Sequence, residues 1–225
     1  VLVILSQVPP GFTQSLHKNF KKVYYQVETL IFGQAFDRAI NPERFILGCK
    51  DPKVAIEKSL LIFLNTFECP IIKMGYESAE LCKISINMCL ISSITIANKM
   101  AEICENIGAN WNEIKPALKL DKRIGQYSYI NAQLGLSGGN LERDIASTIN
   151  IAKSFNLNYE LMESFFQINS QRKNWVFDTV NKFVFPKLKN PKIAILGLSY
   201  KANTNSVKNA PSLLLLNQLK GKKLI

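Results

Sequence analysis

The chain has 225 residues, 47% of them hydrophobic and 20% charged, with a formal net charge of +11. This composition supports a sizeable core and excludes a disordered chain. Five cysteines without a Cys-x-x-Cys pair, and a single histidine, exclude a zinc site and predict a reducing, cytoplasmic compartment. The charge points to an anionic partner. Because the Lys and Arg residues are spread along the chain, a phosphorylated small molecule or simply a solvated basic face is expected, and no nucleic-acid partner.

Val1-Leu2-Val3-Ile4-Leu5 reads as a buried parallel strand, stopped by Pro9-Pro10-Gly11. Residues 14–21 suggest a short helix, Phe45-Ile46-Leu47-Gly48 a second strand, 54–67 a helix, and Pro70 to Met74 a third strand. Strands alternating with helices predict an α/β unit with a parallel sheet. From Glu77 to Ile107 there is no Gly or Pro, and apolar residues recur around most of the circumference. This predicts a long, well-buried helix closed by Gly108. Its polar residues, Lys83, Asn87, Asn98, Lys99 and Glu102, argue against a lipid-facing span, so no membrane partner is expected. Residues 111–119 continue helically with a local break at Pro116. The loop Gly135-Leu136-Ser137-Gly138-Gly139 precedes a helix from about Leu141, and helical periodicity runs through Phe185. At Pro191 the α/β pattern restarts, with Lys192 to Gly197 as strand and turn and Pro211 to Lys220 as helix. The predicted class is α/β with a helical centre, divided at 1–75, 76–190 and 191–225. Both ends read as cut, since an apolar run opens the chain and a further strand begins at its close.

Several residues suggest chemistry. Lys83 and Asn87, at i and i+4, share one face of the long helix. They could stabilise an oxyanion or hold a sugar hydroxyl, or be a snorkelling lysine beside a hydrogen-bonded amide. The loop of Gly135, Ser137 and Gly138 offers close backbone approach to a phosphate or sugar ring, or simply makes a tight turn. Asp144 falls in the first turn of the following helix, where the macrodipole favours a carboxylate. Glu28 could be a general base or a surface edge residue. His17, among Lys18, Lys21 and Lys22, is expected to face solvent. No metal site is predicted.

Six segments together resemble, in order and spacing, those of the nucleotide-sugar 6-dehydrogenases (the UDP-glucose/GDP-mannose dehydrogenase family). Ser6-Gln7-Val8-Pro9-Pro10-Gly11 resembles a Ser-Thr-Val-Pro-Pro-Gly turn, and Val27 to Gly33 a Pro-Glu-Phe-Leu-x-Glu-Gly segment. Asn41-Pro42-Glu43-Arg44 is similar to Asn-Pro-Asp-Arg, and Glu77 to Lys83 with Asn87 to the start of the central helix. Asp121-Lys122-Arg123-Ile124-Gly125 resembles Asp-x-Arg-Ile-Gly, and Leu196 to Lys201 with Thr204 and Pro211-Ser212 the opening of the C-terminal domain.

The resemblance implies NAD-linked oxidation of the C6 alcohol of a nucleotide sugar to a uronic acid, through an aldehyde held as a thiohemiacetal. It implies the end of a Rossmann-like NAD domain (1–75), a helical dimerisation domain (76–190) and the start of a UDP-sugar domain (191–225), with a homodimer formed through the centre. Lys83 and Asn87 would stabilise the oxyanion, Glu28 would join the acid/base network, and Asp144 would help activate water. Arg123 would reach the sugar nucleotide across the dimer interface, Gly135, Ser137 and Gly138 would line the substrate loop, and Lys201 would contact substrate. Ser6 and Gln7 would lie on the cofactor side.

The departures gather at one reaction centre. Where the family has Gly-x-Gly-Gly-Ser-Cys-x-x-Lys-Asp, this chain has Gly135 to Asp144 with Asn140 in the nucleophile's place. An amide cannot form the thiohemiacetal. Gln7 replaces a catalytic Thr, Phe32 a second Glu, and Thr204-Asn205-Ser206-Val207-Lys208 a Thr-Asp-Asp-x-Arg segment. The Gly-x-Gly-x-x-Gly dinucleotide fingerprint is absent from the sequence. Two functions are therefore expected to compete: a dehydrogenase whose second oxidation is lost, and a non-catalytic sugar-nucleotide binding or scaffold protein.

Overall fold

A computed structural model describes residues 1–16, 19–31, 33–189 and 191–220. The chain forms two compact units, Val1–Ile86 and Asn87 onwards. His17 and Phe32, both singled out above, lie outside the described residues.

In the first unit the elements run β1 (Leu2–Ile4), α1 (Phe12–Leu16), β2 (Val23–Gln26), α2 (Ala35–Ile40), β3 (Phe45–Cys49), α3 (Lys58–Asn65) and β4 (Ile71–Gly75). The sheet order is β1-β2-β3-β4. β1 pairs with β2 and β3 with β4 in parallel, but β2 and β3 are antiparallel, with Tyr25 opposite Gly48. The sheet is thus mixed rather than the parallel one expected, and β1 is half-buried rather than buried. Strand β2 was not anticipated from the sequence. Its Val-Tyr-Tyr-Gln run is buried on both faces, which removes the alternation that marks a half-buried strand.

All of β3 is buried and its residues alternate between two cores. Phe45, Leu47 and Cys49 pack with Tyr24, Leu60 and Leu64, while Ile46 packs with Tyr25, Val27 and Ala79. The helix expected over 54–67 begins only at Lys58. There the Glu57 side chain accepts hydrogen bonds from the N–H groups of Ser59 and Leu60, capping the helix. The helix expected at 14–21 lies instead at α1.

Helix α4 runs unbroken from Tyr76 to Ile107. Gly108, at φ +77°, closes it in the left-handed conformation expected. By length and composition α4 could cross a membrane. Its apolar residues instead join protein cores in each unit, as those of a core helix do. The burial is nevertheless one-sided: Ile96 is 58% exposed and Ile107 72%. This corrects the expectation of a well-buried helix.

The second unit continues with α5 (Trp111–Leu120), α6 (Asn140–Ser154), α7 (Glu160–Phe183) and α8 (Pro211–Leu219). Ile91, Ile94, Leu136, Ile145, Ile149 and Phe165 make its main core. Pro116 lies inside α5 without ending it. The Asn112 carbonyl that its missing N–H would have served is on an exposed residue and can turn to water, while Trp111, Ile114 and Leu118 keep the helix packed. Residues 192–197 form no strand: no described strand neighbours them to complete a ladder, and Leu196 is 95% exposed. Pro211 takes the first helical position of α8, where its lack of an N–H is harmless.

Candidate active site

The residues named from the sequence fall into both units. In the first unit the turn Ser6–Gly11 is held by Glu80, a carboxylate with no solvent exposure. It accepts hydrogen bonds from the Gly11 N–H (2.6 Å), the Thr13 N–H (2.7 Å) and the Thr13 hydroxyl (2.6 Å). A buried charge needs such donors, because desolvation otherwise costs several kcal/mol (roughly). Glu80 precedes Lys83 by three residues, so the helix that carries Lys83 is tied to the turn that carries Ser6 and Gln7. The same charge bears on Tyr25, whose hydroxyl is pushed up to about 12 by burial first and by Glu80 second.

Ser6 is exposed, and Gln7 and Lys83 are half-buried. Glu28 is half-buried too, and one of its carboxylate oxygens accepts from the Leu30 N–H at 2.6 Å. It lines a cavity of about 380 Å³ together with Arg38 and Arg44. Both arginines are engaged by Glu43 at 2.9 Å, and the hydrogen bond from Arg38 is the main cause that holds the Glu43 carboxyl below its ordinary value.

In the second unit the structure brings Asn87 and Asp144 together. Asp144 is fully buried and Asn87 is 7% exposed. The Asn87 amide Nδ2 donates to Asp144 Oδ2 at 2.5 Å, and Arg143 Nε lies 3.2 Å from Oδ1. Asp144 is the fifth residue of α6, beyond the first turn in which the sequence placed it. Its charge is therefore supported by a neighbouring amide and guanidinium rather than chiefly by the helix terminus. Asn140 opens α6 and its side chain is exposed.

The glycines of the loop before α6 are placed for close approach, but what approaches is this chain's own side chains. A Cβ at Gly135 would come within 2.7 Å of Asn169 Oδ1, one at Gly138 within 3.2 Å of the Tyr200 ring, and one at Gly139 within 2.6 Å of the Lys208 Nζ. Ser137 Oγ donates to the Tyr200 carbonyl at 3.4 Å. Lys201 holds its Nζ 5.7 Å from the Tyr200 ring centroid. Arg123 stands apart, with an exposed side chain paired to Asp121 at 2.6 Å. That pairing keeps the Asp121 carboxyl below its usual range.

Sequence reading missed Glu80, Glu142, Asn169, Lys173 and Asn209. A trace of them was visible, since Glu80 and Asn169 are polar residues interrupting apolar helix faces. The larger cavity of about 640 Å³ beside Glu105, Arg172 and Trp175 is lined by none of the candidate residues. Among the described residues no group of three metal-binding side chains occurs.

NAD, implied by the resemblance, needs free N–H groups at a helix start to cradle its pyrophosphate. The turn after β1 leads into a helix of only five residues, and the Gly11 and Thr13 N–H groups are already given to Glu80. The residues at that turn do not fit the pyrophosphate.

Removing the amide of Asn87 while leaving the buried Asp144 carboxylate should destabilise the second unit. Asn87→Leu should cost about 2 kcal/mol, read by urea unfolding. A loss below about 0.5 kcal/mol, the range of a neutral surface change, would show that the pair is not what supports Asp144.

Residues 77–171 match the sequence model of the UDP-glucose/GDP-mannose dehydrogenase family, central domain. The chain is 32% identical over 224 residues to UDP-glucose 6-dehydrogenase TuaD of Bacillus subtilis (strain 168), covering 95% of this chain and 47% of that protein. It is 29% identical to UDP-glucose 6-dehydrogenase of Rickettsia conorii, covering 99% of this chain and 52% of the relative. In structure it is similar to a UDP-glucose dehydrogenase from Pyrobaculum islandicum, with a TM-score of 0.85 at 25% identity, over 99% of this chain and 52% of that one. The chain thus spans about half the length of the curated relatives it matches. Residues 77–171 thus match the central domain of the UDP-glucose/GDP-mannose dehydrogenase family, within a chain that is similar to UDP-glucose 6-dehydrogenases over almost its whole length.

Proposed function

We propose that this chain is the substrate-handling part of an NAD-dependent nucleotide-sugar 6-dehydrogenase that oxidises the C6 alcohol of a UDP-glucose-like sugar. One observation carries the reading. A buried amide and a buried carboxylate, Asn87 and Asp144, face each other beside an apolar core that has no packing need for them, at positions the resemblance assigns to chemistry. The pair satisfies its own hydrogen bonding, and its place at motif positions is what favours a functional use.

In this reading Lys83 supplies the cation and Asn87 the amide that stabilise the developing oxyanion. Asp144 orients Asn87 and holds a proton-accepting oxygen near the reacting carbon, and Glu28 completes the acid/base network. Gly135, Ser137, Gly138, Arg123 and Lys201 bind the nucleotide sugar, and Ser6 and Gln7 lie on the cofactor side. NAD is the two-electron acceptor in the longer protein, with its pyrophosphate held elsewhere than at the turn after β1. Asn140 offers no nucleophile, so the aldehyde is not captured and oxidation stops after the first two electrons. The protein works in the cytoplasm, without a nucleic-acid or membrane partner.

Homodimerisation through the central helices accounts for a stripe on α4. Ile96, Met100, Ile103 and Ile107, spaced four, three and four apart, are all exposed. Ile103→Asp should convert dimers to monomers in sedimentation, and a wild-type chain that is already monomeric would contradict the assignment.

A second reading, a non-catalytic sugar-nucleotide binding or scaffold protein, is favoured by Asn140 and by the side chains of Tyr200 and Lys208 that fill the space over the glycine loop. Lys83→Ala in the full-length parent separates the two. An enzyme should lose about 100-fold or more in turnover while its affinity for UDP-glucose, measured by calorimetry, changes much less. No turnover in the wild type, with binding lost in the variant, would make the protein a binder.

A further inference from the structure

Glu142, the third residue of α6, collects donors from two other segments of the second unit. Its Oε1 accepts from the Asn169 amide Nδ2 at 2.7 Å and from Lys173 Nζ at 2.5 Å, both on α7. Its Oε2 accepts from the Asn209 amide Nδ2 at 2.7 Å.

The two amides are not idle at their other contacts. Asn169, 5% exposed, uses its Oδ1 to accept the Leu136 N–H at 2.5 Å. Asn209 Nδ2 also donates to the Gly138 carbonyl at 2.7 Å. An amide can present either its oxygen or its NH2 to a given neighbour, and the neighbours decide. A carboxylate accepts only, so Glu142 forces Asn169 to turn its NH2 inward and its oxygen to Leu136 N–H. The same carboxylate holds the Asn209 NH2 where it reaches the Gly138 carbonyl. Lys173 adds a charged donor to a carboxylate that water still reaches, with side-chain exposures of 16% and 23% for Lys173 and Glu142.

We propose that Glu142 is a positioning residue: by fixing the orientation of Asn169 and Asn209 it clamps both ends of the Leu136–Gly138 loop, and so sets the backbone that leads into Asn140. The inference rests on reading this loop as part of the reaction centre. The clamp acts on backbone groups on either side of Ser137, and Gly139 and Asn140 follow directly. A loop so held presents one arrangement to a substrate instead of an ensemble, which is what positional precision requires of a reacting site.

Amide hydrogen exchange on the whole chain tests it. Glu142→Gln keeps the shape but sets an NH2 against donors, so at least one amide must turn away or lose its partner. Exchange at Leu136 and Gly138 should then rise by about ten-fold or more, while Ile91 and Ile94 on α4 and Phe165 on α7 stay within about two-fold. Lys173→Met keeps the carboxylate and both amides, and should leave Leu136 and Gly138 within about two-fold of the wild type. Unchanged exchange at Leu136 in Glu142→Gln, equal acceleration at every site, or the same loop loosening in Lys173→Met would each overturn the proposal. The readout needs no turnover, so an inactive parent protein would sink the functional reading and leave the clamp untouched.

Discussion

A carboxylate shut away from water has to be answered by donors, and carboxylates wholly or partly buried organise the candidate residues within each of the two units. Glu80 and Asp144 have no solvent exposure, and Glu142 is partly buried. Each draws hydrogen bonds from segments far away in the sequence, and in doing so fixes a piece of backbone that apolar packing alone would leave free to slide. Glu80 pins the turn after β1, Asp144 holds α6 to α4 through Asn87, and Glu142 locks the glycine loop. Hydrophobic clusters supply the bulk of the stability in each unit, but they are tolerant of small shifts. The buried carboxylates are what make the geometry specific.

The same arrangement separates what the site retains from what it has lost. In the proposed reading, Lys83 of the first unit and Asn87 and Asp144 of the second carry the group types an alcohol oxidation asks for, since charge develops on oxygen and a proton must leave. Capture of the aldehyde asks for something different, a thiolate, and at Asn140 the chain offers an amide. None of the five cysteines occupies the loop or the start of α6. The glycines that could admit a substrate's backbone approach instead admit Asn169, Tyr200 and Lys208.

How much of this could be read in advance depended on the range of the interaction. Local periodicity marked β1, β3, β4, α4, α6 and α8, and the 3.6-residue repeat placed Lys83 and Asn87 on one face. Strand β2 escaped because burial on both faces erases alternation, and the antiparallel pairing of β2 with β3 followed from no local signal. Residues 192–197 look like a strand by composition, yet a strand is made by its neighbour. The family motifs exposed Asn140, Gln7 and Phe32 as departures. The partnership of Asn87 with Asp144, 57 residues apart, and of Glu80 with Thr13, 67 apart, was invisible, since nothing in a linear pattern says which buried donor meets which acceptor. Glu142 had no role in the sequence pattern because its donors come from α7 and from the segment before α8.

In the proposed reading, an alcohol is oxidised but the aldehyde is not held for a second oxidation. The direct measurement is the number of NADH molecules formed per UDP-glucose consumed by the full-length parent, followed by absorbance with the sugar product identified. One NADH per sugar and an aldehyde product are expected on that reading. Two NADH per sugar and a uronic acid would contradict it, because Asn140 would then stand in a centre that completes the four-electron oxidation without a thiol.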